Sequence, residues 1–288
     1  MLTAMRDLPD FVLEGRGRDG APRFSVSLGP SEGWAIVAAG DRIVAAVDAG
    51  LVSVSIEGSD VVRREDRLVR DLAVASDRVI SAAFDPAGAL VTRDARTLAP
   101  ITTRTLGAAL HAVAVLDDGR LAASDQHGQV RILDEDEERV WLRRPVAMVS
   151  IAALPGARLA AAGLQKTVFV VGERGKLGCW EGLRTIPYRV ASSGDEIAAS
   201  VGKTIWLARA TGDTSPLELA AHTGLVGALA FDAAGTLWSA GEEGWIHAWP
   251  PEARVRGGKP ARSIAGRGSI RALAVTNEGL YVLRRARG

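Results

Sequence analysis

Short apolar runs, punctuated every 8–12 residues by Gly, Asp or Pro, fill this chain from end to end. One pattern recurs seven times: a small polar turn, an apolar anchor, then small residues. It reads GDRIVAA around Ile43, SDRVISA around Val79, DGRLAAS around Leu121 and GARLAAA around Leu159. It continues as GDEIAAS around Ile197, AGTLWSA around Leu237 and NEGLYVL around Leu280. The anchors lie 36, 42, 38, 38, 40 and 43 residues apart, a repeat of about 40 residues. In the sixth unit LVGALAF (225–231), TLWSA (236–240), WIHAW (245–249) and ARSIA (261–265) read as four strands. No amphipathic helical spacing persists over about 11 residues or more, so the pattern predicts an all-β chain. In–out alternation is blurred in stretches such as IVAAV and IAALPGARLAAAG. A sheet covered on both faces produces that blur, and the abundant alanine lets neighbouring sheets approach closely.

A four-stranded unit of this size cannot bury both faces alone, so the units must stack. The seventh stops at Gly288, eight residues past its anchor, with room for two strands. The first 30 residues carry two more, FVLEG (11–15) and RFSVSL (23–28), which supply the missing third and fourth strands. Such complementarity closes a ring and removes exposed edges. The expectation is one domain over 1–288, a seven-bladed β-propeller. Its blades fall at about 31–68, 69–107, 108–145, 146–184, 185–221 and 222–267, with 268–288 joined by 10–30. The segment FDPAG (84–88) copies the first turn of the sixth unit, FDAAG (231–235), and aligning the two would shift the second blade by half a unit.

The sixth unit resembles the WD40 repeat family, carrying His222 ahead of its first strand, Ser239 on the second and Trp249 ending the third. Glu243 stands where the family has an Asp. The resemblance implies a structural tetrad of His222, Ser239, Glu243 and Trp249, hydrogen-bonded inside one blade. Elsewhere the likeness is in period and hydrophobic pattern. Val130 to Asp134 looks like a third strand with Leu133 in the Trp position, while TVFVV (167–171) and TIWLA (204–208) keep the strand without the turn Asp.

Composition narrows the function. The 288 residues carry 35 basic and 34 acidic side chains, a net charge of +1, too balanced for a general nucleic-acid or membrane-surface binder. One cysteine, Cys179, rules out an internal disulfide and a Cys-based zinc cluster; on an inferred fourth strand with no neighbouring His, it reads as a buried, inert thiol. The N-terminal segment, charged at Arg6, has no signal-type apolar core, and no stretch approaches 18 uncharged apolar residues. A cytoplasmic protein is expected, of bacterial type, because four lysines and the single Asn277 suit a GC-rich coding sequence.

Local motifs for catalysis are absent. His111, His127, His222 and His247 show no HxH, HxxH or HExxH spacing, so local sequence offers no metal pair. His247, two residues before Trp249, reads as a packed core histidine. There is no GxSxG elbow, P-loop or helix-opening GxGxxG, and GRGRDG (15–20) reads as a hairpin turn. No catalytic residue, metal or cofactor is expected.

A propeller gathers its 4→1 and 2→3 loops on one face, the top. Sorting charges by this rule puts Arg67, Arg70, Arg143, Arg144, Arg184, Arg267, Arg271, Lys166, Lys203, Arg284 and Arg285 on top. Asp41, Asp77, Asp117, Asp118, Asp195, Asp232 and the run from Asp134 to Glu138 fall on the bottom, with Arg42, Arg78 and Arg120 beside them. The head of each first strand should ring the channel mouth: Trp34, Arg70, His111, Val149, Tyr188, Gly227 and Arg271. Trp, Tyr and Arg are interface hot-spot types, so Trp34, Arg70, His111, Tyr188 and Arg271 are the candidate partner-binding set. The resemblance implies a non-enzymatic protein-interaction scaffold within a multiprotein assembly, its partner a protein or peptide, with an acidic one among the candidates. The alternative is a hydrolase or ligand binder using the central channel, which would need three or more carboxylate, amide or His groups converging there.

Overall fold

The computed structural model describes residues 9–66, 68–135, 137–211, 215–254, 258–266 and 268–286. Seven antiparallel four-stranded sheets form the blades of a propeller. Blades 1 to 6 occupy 33–65, 69–105, 110–143, 148–180, 187–220 and 226–265 in simple up-and-down order. Blade 7 takes its inner strands from Ile270–Val275 and Leu280–Arg285 and its outer strands from Asp10–Arg16 and Pro22–Pro30. The two chain ends thus share one sheet. Among the described residues no helix is long and apolar enough to cross a membrane.

The small residues after each anchor make the stacking possible. Second strands such as Arg42–Val47 and third strands such as Gly50–Ser55 and Thr167–Gly172 are buried at every residue. Alanines 45, 46, 160, 161, 162 and 198 have no exposed surface. The cores are therefore shared between neighbours. Ala112, Ala122, Val130 and Ile132 of blade 3 pack with Met148, Leu159, Ala161 and Phe169 of blade 4 in one cluster. Phe11, Leu13, Tyr281 and Leu283 of blade 7 join Ile36, Ile43 and Val52 of blade 1 in another, which seals the ring.

Closure has a tight register. Phe11 pairs with Arg285 and Gly15 with Tyr281 on one edge of the strand, while Gly15 faces Phe24 on the other. A Cβ on Gly15 would sit 2.3 Å from the Phe24 ring, so this aromatic lies across the strand because residue 15 has no side chain. The segment 84–88 is placed by its pairing. Phe84 follows the second strand of blade 2, and Asp85 caps the 2→3 turn through Gly88 N at 2.8 Å. Asp232 caps the 1→2 turn of blade 6 in a similar way, through the amides of Ala234 and Thr236. Aspartate turn chemistry serves either connection, so the resemblance of the two segments carries no register.

Arginines read as surface charge turn out to be internal clips. Arg42 is 1% exposed and reaches Ser53 Oγ at 2.9 Å and Asp60 Oδ2 at 2.6 Å. Arg93 clips Ser81 and Asp66 likewise in blade 2. In blade 7 Glu14 is held by both Arg16 and Arg284, the latter at 2.5 Å across the closing pair of strands. Arg284 is therefore committed to the core of the closure rather than offered on the top. Removing one member of a buried ion cluster strands the others, at a cost of about 3–5 kcal/mol. Glu14→Ala should lower unfolding free energy in urea by that amount, and Glu14→Gln by less. A loss below about 1 kcal/mol in the alanine variant would mean the clip does not secure the ring.

Candidate functional site

The top of the channel opens into a bowl of about 560 Å³. Trp34, Arg70, His111, Val149, Tyr188, Gly227 and Arg271 all line it, joined by Glu32, Leu164, Arg189, Leu225 and Glu242. One backbone feature places them. Each of the seven is the second residue of its first strand, and in every blade the pairing with the second strand slips there. Gly33 and Ala35 pair with Val47 and Ala46, for example, leaving Trp34 without a cross-strand partner. The same slip falls at Arg70, His111, Val149, Gly227 and Arg271, and in blade 5 it spans Tyr188 and Arg189. A bulge inserts one residue and re-aims its side chain. Seven bulges in register make the ring. Hydrophobic patterning carries no mark of them, because a single inserted residue in a doubly buried strand leaves the apolar run intact.

The ring has two sectors. In the first, the Arg70 guanidinium lies 3.7 Å above the Trp34 ring and 4.9 Å from the ring of Phe84. Phe84 also packs against His111, 4.8 Å between centroids. The Trp34 indole N–H donates to Asp48 at 2.7 Å, which fixes the platform. Arg70 pairs with no carboxylate among the described residues, unlike Arg271, which holds Glu242 at 2.8 Å. Burial first, then the Arg189 charge, pulls the Arg70 pKa down, with Asp48 pulling it up. His111 is also pushed toward neutrality, by burial and then by Arg70. In the second sector, over blades 4 to 6, Leu164, Tyr188 and Leu225 are 39%, 55% and 46% exposed. Val149 and Gly227 contribute wall rather than function. A Cβ at position 227 would meet the Ile270 carbonyl at 2.5 Å, so close blade approach demands glycine there.

Arg189 is the member that patterning misses. It leaves blade 5, crosses the channel and donates to the Trp34 carbonyl of blade 1 at 2.7 Å. Its own amide is satisfied by Ser200 Oγ at 3.0 Å inside the bulge. The guanidinium floors the bowl. Below it the channel narrows to about 150 Å³, lined by Ala35, Ile36, Leu72, Val113, Ser150, Ile151 and similar residues, with Asp71 the single carboxylate. The Asp71 carboxyl faces the cavity yet is walled in by protein, and accepts the Val113 amide at 3.0 Å. Burial raises its pKa to about 6, against the opposing pull of Arg189 and the backbone amides.

The tetrad residues meet inside blade 6. Ser239 Oγ lies 2.7 Å from His222 Nε2 and accepts the Trp249 indole N–H at 2.9 Å, while Glu243 Oε1 contacts His222 Nδ1 at 2.5 Å. The His247 ring lies tilted 4.5 Å from that of His222 and contacts Ser263 Oγ through Nδ1 at 2.8 Å. Burial, then His222, drives its pKa down to about 4. Potential ligand atoms of His222, Glu243 and His247 lie within 4.8 Å of one another. Local spacing could not show this grouping, since it comes from the ladder that sets Ser239 opposite His247. Cys179 is half-buried, not buried, and its thiol lies 3.3 Å from the Glu181 carboxylate.

The expected charge separation is blunted. On the bottom, Asp41, Asp118, Asp195 and Asp232 are paired with Arg96, Arg120, Arg158 and Arg18. Arg67, Arg267, Asp136 and the segment containing Arg6 lie outside the described residues.

No known family model matches the chain, and no curated protein matches it. Solved structures do. The crystal structure of the WD40 β-propeller domain of Doa1 superposes with a TM-score of 0.72 over 88% of this chain and 92% of that one. Identity is 12%, so the likeness is one of fold. The chain is a WD40-like seven-bladed propeller.

The Asp71 shift has a testable sign. Its carboxyl ionises near 3.8 in the unfolded chain and near 6 when folded. The stability it contributes is complete below its unfolded value and is lost as pH rises through about 6. Asp71→Asn keeps an acceptor for Val113 and removes that loss. Its melting midpoint should gain on the wild type between about pH 4 and 6 and remain ahead at pH 7. A constant difference across that range would refute the assignment.

Proposed function

We propose that this protein is a non-enzymatic scaffold that docks a protein or peptide partner in the top bowl. The observation that carries the reading is Arg70, without a carboxylate partner among the described residues, clamped between Trp34 and Phe84 and facing an exposed apolar arc of Leu164, Tyr188 and Leu225. A desolvated guanidinium without a carboxylate favours an acidic group brought by the partner. The apolar arc favours a neighbouring hydrophobic side chain. The partner segment therefore carries an acidic and an apolar residue side by side. Closed, packed blades hold this surface preformed, which keeps the ordering cost of binding low. The likeness of fold supports a scaffold, since WD40 propellers generally act as protein-interaction platforms. The channel reading is disfavoured because the described lining below Arg189 offers one carboxylate and neither amide nor imidazole, too few to converge on an ion or a scissile bond.

The test starts with affinity capture from the native host and mass spectrometry of what is retained. Arg70→Glu combined with Arg271→Glu should weaken the captured partner by about 30-fold or more, the equivalent of losing one hot spot. Leu225→Asp should weaken it separately, and the thermal melts should stay close to wild type. Retention undiminished in both variants would move the docking surface away from the bowl.

A further inference from the structure

We infer that His222, Glu243 and His247 form a binding site for a zinc-class divalent cation at the top edge of blade 6. The three sit on different segments, before the first strand, in the 2→3 turn and on the third strand, and their ligand atoms converge within 4.8 Å. Each imidazole has its far nitrogen held by a hydroxyl. Ser239 Oγ sits 2.7 Å from His222 Nε2, and Ser263 Oγ sits 2.8 Å from His247 Nδ1. Outer partners of this kind fix the ring orientation and tautomer of metal-binding histidines. What remains points inward. His247 Nε2 makes no well-formed hydrogen bond although the residue is 6% exposed, the Ala221 carbonyl being the one backbone acceptor that acts on the ring. A buried nitrogen without a partner is costly in a purely structural histidine and natural in a ligand.

Glu243 completes the set. Its Oε2 is anchored by the Gly224 amide at 3.0 Å, which leaves Oε1 facing His222 Nδ1. A bound cation would displace the proton these two atoms share, parting them from 2.5 Å to the roughly 3.3 Å that two tetrahedral zinc ligands require, with His247 Nε2 as the third ligand. His222 then carries its proton on Nε2, where Ser239 Oγ accepts it, so the ring stays neutral. Two neutral imidazoles and one carboxylate make a three-ligand zinc set with a fourth position for solvent. Glutamate is the one departure from the WD40 tetrad pattern, and it occurs in the same blade as this second histidine.

The untagged full chain is incubated with zinc chloride alone, passed through gel filtration and analysed for metal. One zinc per chain should remain, with a raised melting temperature, and cobalt should give a tetrahedral visible spectrum. His247→Gln should weaken zinc binding at least about tenfold while keeping the zinc-free melt. Glu243→Asp, which restores the WD40 residue and preserves folding, should abolish the cobalt spectrum. Failure to retain zinc overturns the site, and so does zinc retained equally by both variants.

Discussion

Hydrogen bonding along both edges of one strand, Asp10–Arg16, is the constraint on which the molecule depends. Each blade covers its faces by leaning on a neighbour, so a shut circle leaves no blade with an uncovered face. The strand meets Leu280–Arg285 on one side and Pro22–Pro30 on the other. Its Glu14 binds Arg284, 270 residues away in sequence. A contact of that separation carries a large loop-closure cost, which the Phe11, Leu13, Tyr281 and Leu283 cluster offsets by burying apolar surface against blade 1.

Blade interiors solve the same problem in different ways. Blade 6 pins its strands with His222, Ser239 and Trp249, whereas blades 1 and 2 use Arg42 and Arg93 against serines on adjacent strands. An arginine that spans two strands and reaches an outer carboxylate satisfies buried acceptors on both, tying the strands together as a tetrad does. It leaves no recognisable repeat motif, which accounts for a chain whose period is regular and whose signature is confined to one unit.

Much of the architecture was legible in the sequence. The anchors at Ile43, Val79, Leu159 and Leu237 recur because each sits in a second strand at the centre of a blade, and the two N-terminal runs fill the vacancy left by the last unit. The bowl residues were readable through the same alignment, since a position in the repeat is a position on the ring. The bridge of Arg189 was not, because its partner is a main-chain carbonyl across the channel and main chain has no signature. Phe84 was read as part of a turn, and only the fold shows it to be the second plate around Arg70. The grouping of His222, Glu243 and His247 was invisible for the related reason that ladder register, not spacing along the chain, brings it together.

The slipped pairing at the head of every first strand has a corollary. Residues at those positions take no part in the cross-strand ladder, so most can be exchanged with little penalty to the frame. Gly227, pressed against a neighbouring carbonyl, is the exception. Six adjustable sites around a rigid mouth let its chemistry vary while the frame beneath stays the same.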